Sequence, residues 1–175
     1  MRIFFLTILL SLIFLQGCAT PASPTGMVIS AVEPIAQKNQ ALQNAVAVRS
    51  VSGGKETSPL GRSQVDSSGF SMALTQSLYS IGYAAGKVES AKLIIDAELV
   101  SLSQPLFGLT FDVTSSVVYK VEGTTFKRTF PITAIGTART SDAFLADERM
   151  RIANERSIKE NITQFLRELS LSYKE

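Results

Sequence analysis

Between residues 92 and 138 the chain alternates apolar and polar side chains with a period of two, through three successive segments. This pattern constrains the fold more than any other feature, because only a strand with one buried face repeats its environment every second residue. In the first segment Leu93, Ile95, Ala97 and Leu99 alternate with Lys92, Asp96 and Glu98, while Ile94 and Val100 break the pattern on the polar side. The second sets Phe111, Val113, Val117, Tyr119 and Val121 against Asp112, Thr114, Ser116, Lys120 and Glu122. The third sets Phe126, Phe130, Ile132 and Ala134 against Lys127, Thr129 and Thr133. Short turns at 104–108 and 122–125, containing Gly108 and Gly123, make these an antiparallel meander with one face on a core. Pro131 has no amide to donate, which predicts an edge position or a bulge for the last strand.

Helical and further strand signals flank the meander. Residues 45–51 are rich in valine and end at Gly53-Gly54, as a first strand would. Phe70, Ala73, Leu74, Leu78 and Ile81 recur at spacings of three and four, so they share one helix face, with Ser67 or Ser68 as cap and Gly82 as stop. A long helix is expected over 142–169, with the stripe Ile158, Ile162, Phe165, Leu166 and Leu169 and, on its exposed face, the pairs Arg151/Glu155, Glu155/Lys159 and Arg156/Glu160. The order is then β-α-β-β-β-α. Two amphipathic helices over one face of a four-stranded, mostly antiparallel sheet give a two-layer α+β sandwich. Its other face, rich in Thr and Ser, is left to solvent or to a partner.

The N-terminus carries a different signal. Arg2 precedes an almost wholly apolar run at 3–15, which is too short for a spanning helix of about 20 residues but fits a secretory signal. The residues that close it, Leu15-Gln16-Gly17-Cys18, resemble the lipobox of bacterial lipoproteins. That resemblance implies cleavage before Cys18 and acylation of its sulfur and amine. The expected division is a signal at 1–17, a lipidated cysteine and tether at 18–44, and a periplasmic α+β domain at 45–175. Within the tether, the Pro/Ser/Thr tract at 19–26 reads as an extended linker able to reach roughly 25 Å. Residues 27–32 are apolar but halted by Pro34, and 35–44 reads equally as a short helix or an ordered loop. In bacteria with two membranes an aspartate after the lipidated cysteine holds lipoproteins in the inner membrane. Ala19 occupies that position, so the resemblance implies the outer membrane.

Charge and cysteine usage fit this reading. Beyond the leader 16 basic side chains face 15 acidic ones, which is no nucleic-acid profile. So balanced a chain is drawn weakly to an anionic surface, and attachment falls to acyl chains at about 0.8 kcal/mol per buried methylene. Cys18 is the only cysteine, so the domain has no disulfide and its stability comes from packing.

Few residues are suited to catalysis. The mature chain has no histidine and no free thiol, which removes the commonest general base, the cysteine nucleophile and most transition-metal ligand sets. Gly53-Gly54-Lys55-Glu56-Thr57 superficially suggests a phosphate loop. That pattern needs glycine where Arg49 stands and Ser or Thr where Glu56 stands. Asp96 and Glu98 share a strand face, with Asp112 across the hairpin, but the spacing matches no calcium loop and Lys92, Lys120 and Lys127 offer counter-charges. The expectation is no enzyme, no cofactor and no metal. Two surface candidates remain. In the turn at 105–109, Leu106 and Phe107 stand where turn chemistry favours polar residues, which makes them a contact tip for a partner protein or a lipid, or else residues tucked under a helix end. Arg149, Arg151 and Arg156 form a row that either meets phosphates or acids of the envelope or is a solvated face with internal ion pairs.

Lipobox, proline-rich tether and element order together resemble small proteobacterial lipoproteins of the YajG type, through Val51-Ser52-Gly53-Gly54, Gln104-Pro105-Leu106-Phe107-Gly108 and Arg149-Met150-Arg151-Ile152-Ala153-Asn154-Glu155. In layout alone they are similar to LptE-like lipoproteins. The resemblance implies a lipid-anchored accessory or assembly module of the cell envelope, with an envelope protein as partner. The alternative is a lipid- or glycan-binding component of envelope transport, which requires an apolar cleft lined by inward residues such as Phe111, Val113 and Phe130.

Overall fold

A computed structural model describes residues 19–30 and 38–174. Cys18 and the whole leader before it lie outside the described residues, as does Pro34. Strand β1 (Val46–Ser52) leads through helix α2 (Ser67–Ile81) to β2 (Leu93–Ser103), β3 (Phe111–Gly123) and β4 (Lys127–Ala138), and the chain closes with α3 (Ala146–Ser172). A four-residue helix, α1 (Pro24–Met27), precedes them all. The sheet order is β1-β2-β3-β4. The helical crossover makes β1 parallel to β2, and the tight connections make the other two pairs antiparallel. The expected α+β sandwich is the observed one.

Inward residues of the sheet and the helix stripes form the core: Ile95, Val117, Tyr119, Val121, Phe130 and Ile132 pack against Phe70, Leu74, Ile158, Ile162, Phe165 and Leu169. Tyr119 stacks on Phe165 with centroids 3.9 Å apart and planes 3° from parallel. β4 is an edge strand, so the missing amide of Pro131 costs no ladder bond.

Of the two residues that broke the alternation, Val100 has a physical explanation. Register shifts between Leu99 and Ser101, so Val100 is the extra residue of a bulge and points to solvent. Beyond the bulge the phase inverts, and Leu102 packs inward. A second shift, between Val48 and Ser50, sets Arg49 out of register in β1. α2 begins one residue earlier than a Ser67 cap implies and two earlier than a Ser68 cap does. Asp66 is the cap, its Oδ1 accepting from the Gly69 amide at 2.7 Å, and a carboxylate there also suits the positive helix end. Gly82 ends α2 with φ 82°, the left-handed conformation that glycine adopts without strain.

The expected tether is the main departure. Ala22, Met27 and Ile29 are fully buried members of the core, as is Leu42, so the described stretches at 19–30 and 38–44 are part of the folded body rather than a linker. α1 packs on both α2 and α3. The Pro/Ser/Thr tract at 19–26 reads as extended chain, but its Ala22, with Met27 and Ile29 of the apolar stretch that follows, buries into the core.

Candidate functional site at the loop end of the sheet

Because β1 and β2 run parallel and the hairpins alternate, the loops at 53–66, 104–110 and 139–145 all fall at one end of the sheet. The N-terminal segment enters at this same end. The Ala19 amide donates to the Pro59 carbonyl at 3.1 Å and the Ala22 amide to Gln64 at 3.0 Å. The Thr20 amide donates to Asp147 Oδ2 at 3.3 Å, and the Ser23 amide to Glu155 Oε1 at 2.7 Å. Gly26 allows this approach: a Cβ there would collide with the Glu155 carboxylate.

Two groups of buried polar side chains hold the loops to α3. Arg149 is buried, and its Nη1 donates to the carbonyls of Ala143 at 3.0 Å and Phe144 at 2.6 Å, while Nη2 reaches Gly108 at 3.4 Å. Its guanidinium also lies 5.2 Å over the Phe111 ring. One side chain thus joins the loops at 104–110 and 139–145. Asn154 joins the other pair. Its Nδ2 donates to Ser63 O at 2.9 Å and its Oδ1 accepts from Gln104 Nε2 at 2.9 Å, while Gln64 Nε2 donates to Gln104 Oε1 at 3.1 Å. Arg62 Nη1 completes the set with a 3.3 Å bond to Pro105 O.

What these fixed loops present is apolar. Phe144, Phe107, Leu60, Leu109, Leu106 and Leu145 are between 68% and 92% exposed, and they are the six most exposed large hydrophobic side chains among the described residues. The remaining exposed ones, such as Met72, Tyr79, Val100 and Ile135, are scattered over helix and sheet surfaces, as single apolar residues normally are. Leu106 and Phe107 therefore stand at a tip and are not tucked under a helix end. Sequence reading singled out two of the six, in the turn that also holds Leu109; Leu60, Phe144 and Leu145 lie in loops that meet it only through the topology.

The remaining candidates resolve differently. Asp96, Glu98 and Asp112 do not gather. Asp96 faces Lys120 in the register and pairs with Arg49 and Ser50, whereas Asp112 lies eight residues along β3, about 26 Å away, accepting from Thr137 Oγ1 at 2.6 Å. Arg49, with Ser50, holds the Asp96 carboxyl below its ordinary range, and Lys127 does the same to Glu122. This is a counter-charged, solvated face, with Arg49 as the counter-ion the sequence did not single out. Among the described residues no three metal-ligating side chains come together.

The arginine row is not a phosphate-binding row. Arg149 is spent on carbonyls, and Arg151 lies between Glu148, at 2.5 Å, and Glu155. Arg156 takes Asp142 at 2.8 Å rather than Glu160, which accepts instead from Gln164. Nor is the glycine loop a phosphate cradle. The Gly54 and Lys55 amides already donate to Ser67 Oγ and Val65 O, and Gly53, at φ 81°, lies so close to Leu99 that a Cβ would strike its carbonyl.

The inward residues that a ligand cleft would need, Phe111, Val113 and Phe130, are buried in packed core. An open groove of about 590 Å³ lies between β4 and α3, lined mainly by polar side chains including Arg156, Lys159, Glu160 and Arg167.

No protein-family profile matches the chain, and no curated protein matches it. Among solved structures, a candidate lipoprotein from Caulobacter crescentus CB15 is similar, with a TM-score of 0.51 at 11% identity over 75% of this chain and 91% of that one. The hypothetical protein CT253 from Chlamydia trachomatis has a TM-score of 0.49 at 12% identity, covering 75% of this chain and 99% of its own. A DUF330 protein from Xanthomonas campestris has a TM-score of 0.49 at 10% identity, covering 77% and 90%. At such identities the Caulobacter likeness is one of fold.

Proposed function

We propose that this is a lipid-anchored cell-envelope protein, acylated on Cys18 and held at the periplasmic face of the outer membrane, that acts without catalysis by presenting its domain to an envelope protein partner. One observation carries the reading: the Leu15-Gln16-Gly17-Cys18 motif is followed immediately, from Ala19, by chain that belongs to the folded body. An anchor at that point holds a rigid domain and not the end of a loose linker. Supporting it, the solved structure of like fold from Caulobacter crescentus is itself a candidate lipoprotein. No helix among the described residues is long and apolar enough to cross a membrane.

The surface offered to the partner is the outward face of the sheet. Its centre is hydroxyl-rich, with Ser116 and Thr133 bonded across β3 and β4 at 3.3 Å, and Ile135 exposed beside them. The non-enzymatic part rests on how the perturbed carboxylates are used. Asp96, Glu122, Asp142 and Glu148 are each lowered by a neighbouring Arg or Lys in a surface ion pair. Such pairs perturb titration without making a reactive group.

Growth with radiolabelled palmitate tests the anchor. The wild-type protein takes up label and fractionates with outer membranes, while Cys18→Ser takes up none and is released. An unlabelled wild-type protein would overturn the reading. Photocrosslinking from position 133 in intact cells then tests the partner face, with a discrete adduct as the expected product.

A further inference from the structure

We infer that the loop end of the domain is a membrane-contacting surface, with the tips of the loops at 53–66, 104–110 and 139–145 seated in the interfacial region of the lipid bilayer. The inference rests on the reading of Cys18 as the lipid site.

Three observations lead to it. The six most exposed large hydrophobic side chains among the described residues, Leu60, Leu106, Phe107, Leu109, Phe144 and Leu145, all lie in these loops. Clustering of that kind marks a surface with a partner, whereas single exposed residues do not. The loops are held outward by buried bonds of Arg149 and Asn154, so the exposure is built into the fold and not the accident of a slack turn.

The third observation selects the occupant. Ala19 is fixed at this same end by its bond to Pro59, so an acyl-bearing residue just before it sits one peptide unit, about 3.8 Å, away. With the expected 25 Å linker folded into the body, no slack remains for the domain to turn its loop end away from the bilayer. Exposed charges around the tips are of both signs, Lys55 and Arg139 with Glu56 and Asp142. The contact is therefore made by apolar insertion to about 5–10 Å, and does not depend on anionic headgroups. The strands then run away from the membrane, and β3, spanning Phe111–Gly123, places the opposite end of the sheet roughly 40 Å out.

The chain contains no tryptophan, so a single introduced one reports its own environment. Full-length protein purified from membranes is placed in vesicles of phosphatidylethanolamine and phosphatidylglycerol, with and without brominated acyl chains. Phe107→Trp and Phe144→Trp are read against Tyr79→Trp at the far end of α2, all three sites being exposed enough to leave folding intact. Reporters at 107 and 144 are expected to emit blue-shifted and to lose roughly half their intensity to brominated lipid, as an interfacial depth requires, while the one at 79 is unaffected. Acylation is checked by intact mass on the same samples. Acylated protein whose reporters at 107 and 144 emit as in water overturns the membrane contact and leaves the anchor standing. The same result in vesicles, combined with a blue shift in native envelopes, overturns it in favour of a protein partner at the loop end. A mass without acyl chains overturns the anchor and the orientation together.

Discussion

The backbone amide of Ser23 donates to the Glu155 carboxylate at 2.7 Å, across 132 residues of sequence. Glu155 is buried and also accepts from Arg151, so a single side chain on α3 fixes the N-terminal segment onto the domain. Glu155→Ala leaves the Ser23 amide and the Arg151 guanidinium without that acceptor. The expected loss is about 1.5–3 kcal/mol, a fall in melting temperature of roughly 4–10 °C for a chain of this size. Hydrogen exchange at Ser23 should accelerate with it. A melting temperature within about 1 °C of wild type would show that the strap contributes nothing.

A buried polar cluster specifies how α3 lies on the sheet. Asn161 Nδ2 donates to Ile132 O at 3.1 Å and to Ser115 O at 3.2 Å, and its Oδ1 accepts from the Tyr119 hydroxyl at 2.9 Å. Ser157 Oγ adds bonds to Ser115 Oγ at 2.8 Å and Ala134 O at 3.1 Å. Asn161→Ala strands several of these groups away from water and should cost about 2–4 kcal/mol in denaturant unfolding. Tyr119→Phe keeps the ring on Phe165 and leaves only the Asn161 oxygen unmet, so it should cost about 1–2 kcal/mol. Equal losses from both variants would contradict this division.

Acid sensitivity of the loop at 139–145 follows from Asp142. Arg156, and after it the Arg139 amide, lower its carboxyl from 3.8 to about 2. A carboxyl whose folded pKa is depressed stabilises the fold fully above its unfolded value and loses that contribution as pH falls toward its folded one. The window here runs from 3.8 down to about 2. Carbon-detected titration of the Asp142 carboxyl should give a midpoint near 2, and Asp142→Asn should flatten the stability profile in that window. A midpoint at 3.8 would mean that the Arg156 pair does not persist in solution.

Much of this fold was legible because its elements obey simple periods. The alternation through Phe111, Val113, Val117, Tyr119 and Val121 identified β3, and the Phe70-to-Ile81 spacing identified α2. The conformation of β1 and β2 at Arg49 and Val100 escaped, since a bulge shifts register without changing composition, and so did the Asp66 cap of α2. Tertiary contacts were less visible. Ala22, Met27 and Ile29 join the core, and neither a Pro/Ser/Thr tract nor a short apolar stretch halted by proline shows which distant elements it meets. Ser157 and Asn161, four apart on an otherwise apolar stripe, did carry a sign: polar residues at core spacing. Leu106 and Phe107 were found because turns rarely carry such residues, but Leu60 and Phe144 join them only once the strand order brings three loops to one end.

The account depends on the chain being part of the folded body from its first residues after Cys18. Residue-resolved hydrogen exchange on the mature protein measures this directly. The Ala22 amide, bonded to Gln64 O at 3.0 Å, and the Ile29 amide, bonded to Ser77 Oγ at 3.1 Å, are predicted to exchange at least about 100-fold more slowly than in an unstructured peptide. Exchange of both at the unstructured rate would restore a free tether and remove the basis for holding the domain against the membrane.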